Sequence, residues 1–108
     1  MAKSDFESLR VYRLSETLAD RVWGIATRWD ALNRHTLGRQ IIRAADSIGA
    51  NIAEGRGRGS YNDNKRFVGI ARGSLHETQH WLRRAYQRKL LTKDDIDELK
   101  QVIDNLHS

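Results

Sequence analysis

Apolar residues return every three or four positions along most of the chain, the spacing that gathers them on one face of an α-helix. The first stripe is Val11, Leu14, Leu18, Val22, Ile25 and Trp29. The second is Leu37, Ile41, Ala45, Ile48 and Ile52. A third runs through Val68, Ala71, Leu75, Thr78, Leu82 and Ala85, and a fourth through Ile96, Leu99, Ile103 and Leu106. No segment alternates with period two, so no strands are expected. The stripes predict helices over about 6–30, 36–55, 60–89 and 93–106. Cap candidates are Ser4 or Asp5 for the first, Asn33 or Thr36 for the second and Ser60 for the third. Thr92 followed by Asp95 reads as a capping box at the fourth. Four stripes with short connections bury one another as an all-α, antiparallel up-down four-helix bundle, one domain over residues 1–108. There is no proline to interrupt the rods.

Composition fits that picture. The 108 residues are 39% hydrophobic and 31% charged, enough for one modest core under a large polar surface. With no cysteine, disulfides and thiolate metal sites are excluded. No run approaches the ~20 apolar residues of a membrane span, and MAKSDFESLR has no apolar core of the signal-peptide kind. The expectation is a cytoplasmic protein without a membrane partner. Charge adds something new. The net +5 is uneven: residues 34–90 hold twelve Lys/Arg against four Asp/Glu, while residues 91–108 hold two against five. Basic charge concentrated mid-chain hints at an anionic partner.

The stretch "RAADSIGANIAEGRGRGSYND", Arg43 to Asp63, passes from an apolar period into alternating glycine and arginine. Gly55 stands where a left-handed helix cap is expected, and Gly57 and Gly59 lie where the chain must reverse. A phosphate-binding Walker loop needs G-x-x-x-x-G-K-[ST] after a strand, and neither condition is met. The glycines read as a hinge. Arg56 and Arg58 are left for solvent or for phosphate.

Taken together, Phe6, Leu9, Val11 and Tyr12, the block "RQIIRAADSIGANIAEGRGRGS" (Arg39–Ser60) and "KRFVGIARGSLHET" (Lys65–Thr78) resemble the bacterial four-helix-bundle family named for 23S rRNA intervening-sequence proteins. The middle block is the specific part: it looks like the family's Q-I-R-R-A-A-x-S-I-P-x-N-I-A-E-G. Gly49 departs from the usual proline, and "WDALNRH" replaces the usual F-P before helix two. The resemblance implies an antiparallel bundle that forms a homo-oligomer, by family habit a pentamer, with no known enzymatic activity; no cofactor is expected. A related branch supplies accessory proteins of diversity-generating retroelements, where a basic pentamer works with a reverse transcriptase and nucleic acid.

Two patterns carry candidate chemistry. "HETQH", His76 to His80, spells the H-E-x-x-H of zinc proteases, with two histidines at i and i+4 and Glu77 as base. It lacks an evident third ligand, so zinc hydrolysis is a minor alternative. Arg72, His76, His80, Arg84 and Arg88 form the other pattern, a basic series at i+4 spacing, with Lys65, Arg66 and Arg83 nearby and Arg39 and Arg43 opposite the core stripe of helix two. Glu77 is the only acid between Arg66 and Arg88. Such poorly compensated charge suits a polyanion. The candidate contacts to RNA or DNA are therefore Arg39, Arg43, Arg56, Arg58, Lys65, Arg66, Arg72, His76, His80, Arg83, Arg84 and Arg88. Trp23 and Trp81 flank their core stripes and are candidates for contact with another subunit. The alternatives are a protein-interaction scaffold that holds nucleic acid only jointly with a partner such as a reverse transcriptase, and a purely structural oligomer.

Overall fold

The computed structural model describes residues 2–108, with side chains from residue 6 onward. Four helical rods make up the fold. Helix α1 is Ala2–Ala26. The second rod, α2, begins with Ala31–Asn33, widens into one π-helical turn at Arg34–Gly38, and continues as Arg39–Arg56. Helix α3 is Tyr61–Gln87, and α4 is Lys93–His107. There are no strands among the described residues.

Cross-links give the directions. From α1 to α4, Arg28 meets Asp95, Arg21 meets Glu98 and Arg10 meets the Asn105 carbonyl. From α2 to α3, Arg43 meets Glu77 and Ser47 donates to Ser74, while Gly55 lies against Asn64 and Phe67. In both pairs one number rises as the other falls, so the paired helices are antiparallel. The Trp29 indole N–H donates to the Leu90 carbonyl at 3.0 Å, pinning the α1–α2 corner to the α3–α4 corner.

The core is close to that expected from the stripes. Leu18, Val22, Ile25, Trp29, Leu37, Ile41, Ala45, Ile48 and Ile52 are buried, as are Ala71, Leu75, Thr78, Leu82, Ala85, Leu99 and Ile103. Val68 departs, being 40% exposed. Polar atoms in the core are satisfied locally: Ser15 donates to the Tyr12 carbonyl and Thr78 to the Ser74 carbonyl.

The helix ends match the expected caps in two places and correct them in three. Ser60 accepts from the Asp63 N–H, and Thr92 and Asp95 complete a reciprocal capping box. Helix α1 already runs at Ala2, ahead of Ser4 and Asp5, whose side chains lie outside the described residues. Helix α2 starts earlier than residue 36, after Asp30. Neither Asn33 nor Thr36 caps it, because both lie inside the helical run. Asn33 donates to Asp30 at 2.6 Å, and Thr36 turns back to the Leu32 carbonyl.

Gly55 is not a left-handed cap. No glycine among the described residues has positive φ, and α2 continues through Gly55 to Arg56. Its need for glycine is steric: a Cβ there would stand 2.9 Å from Phe67 Cβ and 2.7 Å from Asn64 Oδ1. The left-handed residue is instead Lys89, at φ 61°. There Leu90 N–H bonds to the Ala85 carbonyl and Lys89 N–H to the Tyr86 carbonyl, the two bonds of a Schellman motif closing α3. At Gly49 a Cβ would meet Ser15 Oγ at 2.8 Å, so α1 approaches α2 closely there, although the hydroxyl is a side-chain end that can turn away, unlike Phe67 Cβ at Gly55.

Candidate nucleic-acid interface

The basic residues divide into three settings. At the hinge, Arg58 is committed: its guanidinium pairs with Glu54 at 2.8 Å and lies over the Phe67 ring at 5.1 Å. Arg66 covers the same ring at 4.4 Å, so Phe67 is gripped by two cations. This clamp was not legible from spacing alone, because it joins the hinge to the second turn of α3. Arg56, exposed in the last turn of α2, also has an interaction of its own.

On α2, Arg39 and Arg43 are exposed and line an open depression with Arg34, Ile42, Asp46 and Ala50. Arg43 reaches Gln40 at 3.2 Å and Glu77 at 3.8 Å. On α3 and at its C-cap, Lys65, Arg72, Arg83 and Arg88 are exposed, and their side chains form no ion pair or hydrogen bond among the described residues. Arg84 is half-buried and donates to Gln87 at 2.6 Å, so it is a poorer contact than Arg83. The i+4 series does not share one face. Each step of four drifts about 40° around a helix, so the series spirals from Arg72 and His76, beside α4, across the outside of α3 to Arg88.

The H-E-x-x-H residues do not converge on a metal. His76 and His80 are both exposed. His76 lies with its ring 5.9 Å from that of His107, and His80 stacks edge-on to Trp81 at 4.7 Å. Glu77, the candidate base, accepts from the Trp81 indole at 3.1 Å and faces Arg43. No group of three or more His, Cys, Asp or Glu with metal-binding geometry occurs among the described residues. His35 is exposed in the π-turn, away from that pair along the chain.

Of the tryptophans, Trp29 is core, and Trp81 is half-buried against it with its N–H satisfied. Trp23 is 59% exposed on α1 and has no such commitment. No described helix is long and apolar enough to cross a membrane.

Fold and surface together define an all-α bundle with an arginine-rich outer side. The chain belongs to the 23S rRNA-intervening sequence protein family, whose pattern matches residues 7–108. Among solved structures it is similar to a protein of unknown function from the S23 ribosomal protein family of Bacteroides thetaiotaomicron VPI-5482. That chain is 24% identical, with a TM-score of 0.80, over 89% of this chain and 90% of that one. At this identity the likeness shows the fold alone. No curated protein matches the chain.

Proposed function

We propose that this chain is a non-enzymatic bundle that assembles with copies of itself and binds RNA or another nucleic acid through the exposed arginines of α2 and α3. One observation carries the reading: the outer side of α3 is short of anions. Glu77, the only acid between Arg66 and Arg88, is turned toward Arg43 and Trp81, while the side chains of Arg72, Arg83 and Arg88 stay exposed without a partner among the described residues. A folded protein gains nothing by holding such charge close together. A phosphate backbone supplies the missing anions and gains entropy from released counterions. Self-assembly rests on family membership and on exposed Trp23, and it would let several copies engage one strand.

The test is binding of a fluorescent single-stranded RNA across a salt series. Each phosphate contact contributes about 0.7 to the log–log slope for a single strand. Arg83→Glu with Arg88→Glu reverses two exposed charges and is expected to flatten the slope without changing the helical circular dichroism. An unchanged slope would remove the basis of the reading. Light scattering checks assembly, with an expected mass near five times the 12.5 kDa chain.

A further inference from the structure

Helix α3 changes neighbours along its length, and one line of residues records it. Leu82, Leu75, Val68 and Tyr61 step by seven along one side of α3, and their exposures run 8%, 6%, 40% and 78%. The line leaves the core where α4 stops. His107, at the end of α4, bonds Gln79 at 3.0 Å and lies beside His76. Helix α4 has 15 residues and α3 has 27, about 22 Å of rise against about 40 Å. Among the described residues, the lane beyond α4 therefore lies open between α1 and α3, and it holds a cavity of about 330 Å3 walled by Val11, Ile52, Val68 and Leu106.

The charges along this lane are one-sided. Arg72 and His76 line the cavity. Lys65 stands seven residues before Arg72, on the same side of α3. Neither the Lys65 nor the Arg72 side chain has an ion pair or hydrogen bond among the described residues. Glu7 also lines the cavity, but Arg10 holds it at 2.8 Å.

We infer that this lane docks an amphipathic, acidic α-helix of a partner protein. Its apolar side chains, spaced as helix-in-groove anchors are, enter the cavity beside Val68, and its carboxylates meet Lys65 and Arg72. The chain's own α4 shows what covers the neighbouring part of α3: Leu99 and Ile103 belong to the core with Leu106 packed against it, and Asp97 and Asp104 lie exposed. The docked helix continues the path of α4. The inference goes beyond nucleic-acid binding and does not depend on it.

The probe is a fluorescein-labelled designed helix of Leu and Glu, with Leu at i, i+3, i+4 and i+7, followed by anisotropy. Saturable binding is expected. Val68→Asp should abolish it, because a carboxylate would then sit in the apolar lane, and Arg72→Glu should weaken it about tenfold or more, on the scale of one truncated charge contact. Tyr61→Glu, at a largely exposed position, carries the same test if Val68→Asp fails to fold. A scrambled peptide of equal charge separates packing from attraction and should not bind. Equal binding of the scrambled peptide, or binding unchanged in Val68→Asp and Tyr61→Glu, overturns the inference. So does competition by RNA that depends on Arg72 but not on Val68, since the lane would then be a phosphate surface. The Arg83→Glu/Arg88→Glu variant should bind the peptide normally, which keeps this outcome separate from the nucleic-acid one.

Discussion

The two seams of α3 are built in opposite ways. Toward α2 it presents Ser74 and Phe67, and α2 answers with Ala44, Ser47 and Gly55, so the two backbones come close enough for Ser47 to reach Ser74 at 2.7 Å. Toward α4 it presents Leu75 and Leu82, and α4 answers with Leu99, Ile103 and Leu106. Interaxial distance follows the size of the side chains at the contact. The small-residue seam holds the two backbones together from Arg43 and Glu77 to Gly55 and Asn64. The large-residue seam stands wider and ends where α4 ends. One helix thus uses one edge for rigidity and leaves part of the other as surface.

The strongest way to break this comparison is at Gly55. Alanine there gains about 1 kcal/mol of helix propensity. It also places a Cβ 2.9 Å from Phe67 Cβ, an atom fixed to its own backbone. Overpacking costs about 1–3 kcal/mol, so Gly55→Ala is expected to destabilise on balance, and Gly55→Val by about 3 kcal/mol. Urea unfolding at one fixed protein concentration checks this. A more stable Gly55→Ala protein would mean that the α2–α3 seam is loose. The next largest effect is expected at the start of α4. Thr92→Ala removes the side-chain half of the capping box and should cost about 1 kcal/mol. Because α4 is short and its seam with α3 is wide, the loss should appear first as faster amide exchange in α4, with α2 and α3 unaffected.

These contrasts show where the sequence was readable. Periods of three and four set the helices and most of the core, because burial of an amphipathic face is a local, repeating demand. Ser60 and Thr92 were readable for the same reason: a cap is made with residues three positions away. Gly55 was misread because its constraint comes from Asn64 and Phe67 across the hinge, and a glycine near a helix end looks alike whether it serves φ or close approach. Asn33 and Thr36 misled because Asp30, just before them, already opens the helix. In the candidate interface, spacing showed which residues are basic and turned outward. It did not show that Arg58 is held by Glu54, that Arg84 is half-buried, or that Glu77 faces Arg43, since each depends on which rotamer meets which neighbour. The heptad line from Tyr61 to Leu82 was present in the sequence, but only the length of α4 gives it meaning.

A smaller effect of opposite sign sharpens the comparison on α3 itself. Gly69 has nothing within 4 Å of where a Cβ would stand, in contrast to Gly55. Gly69→Ala therefore adds helix propensity without collision and should stabilise by about 0.5–1 kcal/mol. Thermal unfolding should rise by a few degrees. A fall would mean that the lane side of α3 is already covered, and by something other than solvent.

The smallest effect concerns how the two shorter rods begin. Helix α4 opens with a full capping box, whereas α2 opens at Asp30, whose side chain makes no cap bond to the backbone. Asp30 instead accepts from the Asn33 amide at 2.6 Å, and this bond, ahead of weaker backbone contributions, holds its carboxyl below the ordinary aspartate value. A carboxyl lowered in the folded state stabilises above its unfolded pKa, and that contribution fades as pH falls through the folded value. Asn33→Ala removes the chief cause. The variant should thus unfold slightly earlier than the parent at pH 6, and the gap should narrow as acidification passes through the folded value of Asp30. The site is exposed, so the difference will be small and best read as a change in melting temperature with pH. A gap that stays constant with pH would show that Asn33 supports the start of α2 through its own helix contacts and not through Asp30.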